Sequence, residues 1–258
     1  MMKEQRKRAI VDRIERDKQV FISDLAEQFD VSEMTIRRDL DELDQNGAIH
    51  RIHGGALAVA KISTKNEPPV FERSNEQTEE KRHIAKTVAG MIQNGEKIFL
   101  GSGTTTLAVA ENLTQHQDLT VLTNAITIVN CLIPMKHITL IVFGGFLRRA
   151  ELSMVGHFTQ SALKDIQVDK VIIGMRGIHI EQGLTCDHLQ ELQTDQSILQ
   201  LSKNIIIAAD HTKFGHVATI RTAPITTAST IVTDGKAPDD MVRKIRSLGI
   251  EVIKATPS

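Results

Sequence analysis

Two clusters of side chains have the types and spacing to do chemistry. The first is Ser32, Thr35, Arg37 and Arg38 within VSEMTIRRDLDEL, residues 31–43. Ile36, Leu40 and Leu43 stand at i, i+4 and i+7, the spacing of a buried helical stripe. At about 100° per residue, Arg38, Met34 and Gln45 fall opposite that stripe, with Thr35 and Arg37 on its flanks. This face offers Arg38 and Thr35 to base edges and Arg37 to phosphate, with Ser32 near the nucleic-acid backbone at the helix start. From spacing alone, a helical hairpin with solvated arginines is the more common outcome.

The second cluster is GSGTTT, residues 101–106, between an apolar run Lys97 to Leu100 and a helical pattern through Leu107, Ala110 and Leu113. A strand, a glycine-rich turn and a helix start gather backbone N–H groups and the positive end of a helix dipole around a space suited to phosphate. Three threonine hydroxyls add donors. Such turns also arise from tight packing alone, and this one lacks the glycine spacing of a dinucleotide fingerprint and the lysine of a P-loop.

The elements around the first cluster predict a small domain over residues 3–58. Ile10, Val11 and Ile14 keep helical spacing from Lys3 to Asp17. Ser23 offers an N-cap for a second helix through Leu25, Ala26 and Phe29, and Ser32 one for the third, which Gly47 stops. Two helices joined by a short turn match a helix-turn-helix, whose second helix enters the major groove. AIHRIHGGALAV, residues 48–59, then predicts strand, Gly54–Gly55 turn and strand. That hairpin is a wing carrying Arg51 and His53 towards the sugar-phosphate backbone, although a lone histidine in a hairpin is commonly plain surface.

Residues 59–77, with Pro68–Pro69 in a polar surround, predict an extended connector, and residues 78–258 form a second domain. There, strand-like runs at Lys97–Leu100, Leu119–Leu122, Ile138–Phe143, Lys170–Ile173, Ile205–Ala209 and Thr230–Val232 alternate with helical segments. The alternation predicts a Rossmann-like α/β fold, a mostly parallel sheet with ligands at the carboxyl ends of its strands.

Composition narrows the function. The 258 residues carry 31 Lys and Arg against 32 Asp and Glu, and residues 1–58 carry 10 against 12. Nucleic-acid binding must therefore rest on a few placed cations, Arg37, Arg38, Arg51 and the cluster Lys3, Arg6, Lys7 and Arg8, rather than on bulk charge. The absence of Trp and Tyr counts against stacking on unpaired bases. Two cysteines supply neither a disulfide framework nor a four-thiolate zinc site, and the charged start MMKEQRKR lacks the apolar stretch of a signal peptide. The expectation is a cytoplasmic protein with no membrane association, no metal and no cofactor.

Val31 to Ala56 closely resembles the DNA-binding signature of DeoR-family bacterial transcriptional regulators, VSxxTIRRDLxxLxxxGxxxRxHGGA. The resemblance implies sequence-specific binding to double-stranded operator DNA, usually as a repressor of carbohydrate metabolism. It implies contacts from Ser32, Thr35, Arg37, Arg38, Arg51, His53, Gly54 and Gly55. The second half resembles the sensor domain of the same family, similar to ribose-phosphate isomerases and glucosamine-phosphate deaminases. GSGTTT, LTNA (122–125), FGG (143–145), GLT (183–185) and ADHTKFG (209–215) carry that resemblance. It implies a phosphorylated sugar or related effector cradled by Ser102, Gly103, Thr104, Thr105 and Thr106, with Asn124 and Gly145 lining the site and Lys213 as positive partner.

The sequence departs from the family pattern twice. Gly101 stands where DxGTT has Asp, and Glu191 is followed by Asp195 and Gln196 where Lys and Arg are usual. Asp187, His188 and Glu191 thereby become candidates for effector specificity. Three functions compete: a ligand-responsive transcription factor, a sugar-phosphate isomerase or deaminase with an accessory winged-helix domain, and a protein-binding winged helix. Asp210, Glu191, His211 and Lys213 offer an enzyme its acids and bases, but no arrangement specifies catalysis, so no catalytic residue is expected. Two-fold operators favour a homodimer or higher homo-oligomer.

Overall fold

The computed structural model describes residues 3–17, 19–45, 49–52, 54–58 and 69–256, and the chain divides into two compact units, Met1–Asn66 and Glu67–Ser258. In the first, α1 (Lys3–Asp17) leads to β1 (Gln19–Phe21), α2 (Ile22–Phe29), α3 (Glu33–Gln45), β2 (Ile49–Ile52) and β3 (Gly55–Ala58). Ile10, Ile14, Leu25, Ile36 and Leu40 are fully buried together, so the stripes read from helical spacing meet in one core.

The entry to α2 and the wing differ in detail from the sequence reading. Phe21, not Ser23, is the N-cap of α2, and the Ser23 hydroxyl donates to Asp24. β1 was not anticipated; it pairs with β3 to give the antiparallel order β1-β3-β2. Ile52 pairs with Gly55, so Gly55 belongs to the strand rather than to a Gly54–Gly55 turn, and Gly54 turns at φ +87°. Gly55 is a strand residue squeezed against β1, where a Cβ would lie 2.1 Å from the Val20 carbonyl oxygen. Gly47 lies outside the described residues.

The second unit opens with α4 (Val70–Arg73) and α5 (Thr78–Gly90), then β4 (Lys97–Leu100), α6 (Thr104–Glu111), β5 (Thr120–Thr123), α7 (Ile126–Leu132) and β6 (Thr139–Val142). β7 (Phe146–Arg148), β8 (Ser153–Val155), α8 (His157–Leu163), β9 (Lys170–Ile173), β10 (Gly177–His179), β11 (Gly183–Cys186) and α9 (Leu189–Leu199) follow. The chain closes with β12 (Ile205–Ala208), β13 (Ile220–Ala223), β14 (Thr230–Asp234), α10 (Asp239–Ser247) and β15 (Glu251–Ala255). Residues 69–77, expected as connector, instead carry α4 with Val70 buried.

A seven-stranded parallel sheet runs β15-β14-β12-β9-β4-β5-β6. Alternate residues face opposite cores. Ile98, Leu100, Ile172 and Ile206 pack with α5, α6 and α7, while Phe99, Val171, Ile173 and Ile207 pack with α8, α9 and α10. Chain order reverses between β4 and β9, which places a crevice outside their carboxyl ends. Beside the sheet lie the antiparallel order β10-β11-β13 and the pair β7-β8. These short strands and β15 escaped the sequence reading because three- to five-residue runs broken by charges or glycine carry little periodicity.

Candidate functional site

On α3 the assignment of faces holds: Ile36 and Leu40 are fully buried, while Met34 is 73% exposed. The Arg38 side chain is 80% exposed and approaches Glu42 at 3.8 Å, and Arg37 is half-exposed, 3.2 Å from Glu33. The Ser32 hydroxyl accepts from the Thr35 N–H at 3.3 Å and bonds the Thr35 hydroxyl at 3.0 Å, fixing the first turn. Ile22 N–H donates to the Gly54 carbonyl at 2.9 Å, so Gly54 and Gly55 tie the wing to α2 and β1. Arg51 lies in β2 opposite Ala56, and His53 lies outside the described residues.

The amino-terminal basic cluster is corrected in part. Arg6 is buried, its Nε 2.6 Å from the equally buried Asp39, and Lys7 Nζ lies 2.5 Å from Glu42. These two cations clamp α1 to α3, while Arg8 on α1 stays exposed, as do the α3 arginines.

In the second unit a cavity of about 170 Å³ opens at the reversal of strand order. Ser102–Thr106 form one side after β4, Gly174–Arg176 another after β9, and Ala209, Asp210, Thr212 and Lys213 a third after β12. Gly103, at φ +125°, is the N-cap of α6 and offers no side chain to cap it. The first-turn N–H groups of α6 thus face the cavity with the dipole behind them. The Thr106 hydroxyl donates to the Gly103 carbonyl at 3.0 Å and so braces the loop, leaving Ser102 and Thr104 as its accessible hydroxyls.

Charge is distributed in pairs around the wall. Arg148 meets Glu191 at 2.7 Å, Arg73 pairs with Glu151, and Arg176 lies 3.1 Å from Asp187. Burial pushes the Asp187 carboxyl up, but the Thr219 N–H and Arg176 outweigh it and hold the group below the usual carboxylate range. The Asp210 carboxylate is buried and accepts from the Thr212 N–H at 2.9 Å and from the Thr212 hydroxyl. Lys81, on α5, is buried and donates to the Arg73 carbonyl at 2.6 Å; burial lowers its pKa and Asp210 partly restores it. Burial raises the Cys186 thiol to about 11, so it is inert as a nucleophile. No group of three or more His, Cys, Asp or Glu among the described residues is placed to hold a metal.

Residues 6–61 match the DeoR-like helix-turn-helix domain and residues 76–235 the DeoR C terminal sensor domain. The chain belongs to the DeoR family. It is a DNA-binding transcriptional regulator of that family, whose relatives are named as regulators rather than enzymes. It is 32% identical to the glycerol-3-phosphate regulon repressor of Escherichia coli strain K12, over 98% of this chain and 99% of that protein. It is 30% identical to the HTH-type transcriptional regulator IolR of Bacillus subtilis strain 168, over 86% of this chain and 87% of that one. Among solved structures, ribose 5-phosphate isomerase A from Methanocaldococcus jannaschii covers 52% of this chain and 53% of its own at 14% identity and a TM-score of 0.39. Initiation factor eIF-2B from Pyrococcus horikoshii covers 58% and 52% at 15% identity and a TM-score of 0.41, and neither likeness assigns a residue role. No helix among the described residues is long and apolar enough to cross a membrane.

In this DeoR-family chain, Ser102, Gly103, Thr104, Thr105, Thr106, Asp187, Glu191 and Lys213 all line the cavity. Asn124 and Gly145 are not on its wall. The Asn124 Nδ2 donates to the Met154 carbonyl at 2.8 Å and the Asn124 backbone carbonyl accepts from the Met154 N–H at 2.8 Å, clipping β8 to the end of β5. At Gly145 a Cβ would lie 2.8 Å from the Val155 carbonyl oxygen, so this glycine permits close packing. His188 is not on the wall, and its carbonyl accepts the N–H of Glu191 at 3.0 Å. Gln196 donates to the Thr222 carbonyl at 3.0 Å, whereas Asp195 reaches the cavity. At Gly101, a Cβ would lie 2.8 Å from the Ile173 side chain, which fills the space an aspartate would need.

The DeoR sensor cavity also includes residues that the sequence reading missed, notably Arg73, Glu76, Gln77, Lys81, Glu151 and Arg176. The first three lie in the expected connector. Lys81 sits in an amphipathic helix among other charges, where only its burial distinguishes it.

Proposed function

We propose that this regulator is a repressor of a carbohydrate-metabolism operon whose operator affinity changes when a phosphorylated sugar or related metabolite occupies the second-unit cavity. The observation that carries the effector reading is the cavity at the strand-order reversal, where the α6 N-terminus and its hydroxyls face Lys81 and Lys213. A phosphate group matches that combination: backbone N–H groups and hydroxyls take its oxygens, and the two ammonium groups balance its charge. Ser102, Gly103, Thr104 and Thr105 are the residues proposed to hold it, with Thr106 bracing the loop. Similarity to a glycerol-3-phosphate regulon repressor supports the same class of signal.

On DNA, α3 is proposed to enter the major groove with Thr35 and Arg38 at base edges, Arg37 and Ser32 at phosphate, and the wing at Arg51 beside the backbone. The acting species is a homodimer or higher homo-oligomer in the cytoplasm, since paired half-sites require two copies of α3.

Thermal-shift screening of the full chain against a panel of sugar phosphates tests the effector. A ligand at about 100 times its dissociation constant stabilises by roughly 2.7 kcal/mol. A shift that disappears in Thr104→Ala plus Thr105→Ala is expected; no shift from any phosphorylated compound overturns the reading. Footprinting on the DNA upstream of the gene, with and without the active compound, tests the operator. Multiple turnover of the same compound would instead favour an isomerase or deaminase.

A further inference from the structure

One wall of the cavity does not belong to the sheet. It is the corner between α4 and α5, which contributes Arg73, Glu76, Gln77 and Lys81. The chain enters the second unit at Glu67, and α4 begins at Val70. Arg73, the first of these wall residues, therefore lies six positions after the chain enters the second unit.

Beyond its own turn bonds, the corner is tied to neighbouring segments. The Val70 N–H donates to the Ala150 carbonyl at 2.8 Å, Arg73 pairs with Glu151, and Lys81 Nζ donates to the Arg73 carbonyl at 2.6 Å. Lys81 thereby holds from α5 the last carbonyl of α4, which also accepts the Glu76 N–H at 3.1 Å. Gln77, between the two helices, sits at φ +49° and ψ +41°, a left-handed conformation that is strained for a residue with a Cβ.

The Lys81 ammonium is underused. It has three N–H donors, is only 6% exposed, and has no carboxylate at ion-pair distance among the described residues. An anionic oxygen is a stronger acceptor than a neutral carbonyl. The spare donors give an anion in the cavity a place to bind, and its stronger pull draws the ammonium away from the Arg73 carbonyl.

Granted the effector reading above, we infer that Lys81 is the sensing cation: it binds the anionic group of the effector and, in doing so, loosens its hold on the Arg73 carbonyl. Occupancy is thereby transmitted to α4 and the chain segment leading to the DNA-binding unit. Loss of that bond leaves the Arg73 carbonyl to the Glu76 N–H and unties α4 from α5, so the effector acts on the connector without any motion of the sheet. The two states are the corner pinned and the corner released, and the effector favours the second by its direct bond to Lys81.

The chain contains no Trp or Tyr, so Phe71→Trp, at a 66% exposed site on α4, provides a sole fluorescent reporter. Inorganic phosphate, D-ribose 5-phosphate and sn-glycerol 3-phosphate are the probes. A probe that raises the melting temperature of the full-length Phe71→Trp chain is expected to shift its emission as well. Adding Lys81→Gln should weaken that probe roughly tenfold and abolish the emission shift at saturation. Amide exchange of residues 70–77 in the unsubstituted chain gives an independent reading if Lys81→Gln does not fold, and it should speed up when the probe binds. A rise in melting temperature with unchanged emission and unchanged exchange overturns the switch while leaving the effector reading intact. Unchanged affinity in folded Lys81→Gln also overturns it. No melting response to any probe removes the effector reading and the switch together.

Discussion

Arg148 Nη1 lies 2.7 Å from Glu191 Oε1, with the two side chains 6% and 14% exposed, so a carboxylate on the cavity wall is neutralised from behind by a buried guanidinium. The same nitrogen lies 3.8 Å from Glu151, which pairs in turn with Arg73. The alternating charges Arg73, Glu151, Arg148 and Glu191 link α4, the β7–β8 turn and α9 across one side of the cavity. An acidic residue on the wall of an anion site is therefore no contradiction, because its charge is already matched.

Glu191→Gln should separate stability from affinity. Loss of the carboxylate removes a buried partner of Arg148, and a destabilisation of about 2–3 kcal/mol is expected in urea unfolding. The same change leaves the guanidinium charge less compensated beside the cavity, so a phosphorylated probe should bind more tightly. Lower stability with weaker binding would show that Glu191 contacts the effector instead.

Asp39→Ala should destabilise the first unit by about 3 kcal/mol, because it strands the Arg6 guanidinium in a buried position. Differential scanning calorimetry on the full chain is expected to lower the transition of this unit and leave that of the sensor unit in place. In the double substitution Arg6→Ala plus Asp39→Ala, the losses should fall short of additive. Additive losses would mean that the two groups do not interact.

Arg37→Ala and Arg38→Ala should weaken DNA binding in different ways. Arg38→Ala is expected to cost roughly 1–3 kcal/mol at one base position of the operator. Arg37→Ala should weaken cognate and scrambled duplexes alike and reduce the salt slope by about 1. Fluorescence anisotropy across a salt series distinguishes them, and equal effects of both substitutions on both duplexes would refute the assignment of the two faces.

Effector affinity should fall with rising pH earlier than an exposed lysine would dictate. Burial lowers the Lys81 pKa, so the ammonium that attracts the anion is lost below the usual lysine range. Stability of the empty protein moves in the opposite direction. The cost of burying the charge is fully present below the folded-state pKa, is relieved as pH rises through it, and is gone above the unfolded-state value. Calorimetric titration with a phosphorylated probe over about pH 7–10 reads the first effect and urea unfolding the second. A flat affinity profile over that range would place Lys81 away from the anion.

Much of the fold was legible because its signals are local. Helical spacing set the exposed face of α3, since residues a few positions apart share a side of a helix whatever surrounds them. The order of strand, glycine turn and helix at Lys97–Leu113 likewise follows from neighbouring residues, and alternation of such units implies a parallel sheet with its crevice at the strand ends.

Charge partnership depended on packing between distant segments. Arg6 read as a free cation until α1 docked on α3 and buried it against Asp39, 33 positions away. Glu191 lines the cavity as its sequence position suggests, but the Arg148 that β7 brings behind it has no local signal, nor has the Met154 carbonyl of β8 that takes the Asn124 Nδ2. Lys81 and Arg73 gave no local signal because a lysine in an amphipathic helix and an arginine after a proline pair are ordinary surface residues in sequence. Periodicity reports which way a side chain points from its own element. Which opposite charge it meets there, and whether water reaches it, is set by contacts across the chain.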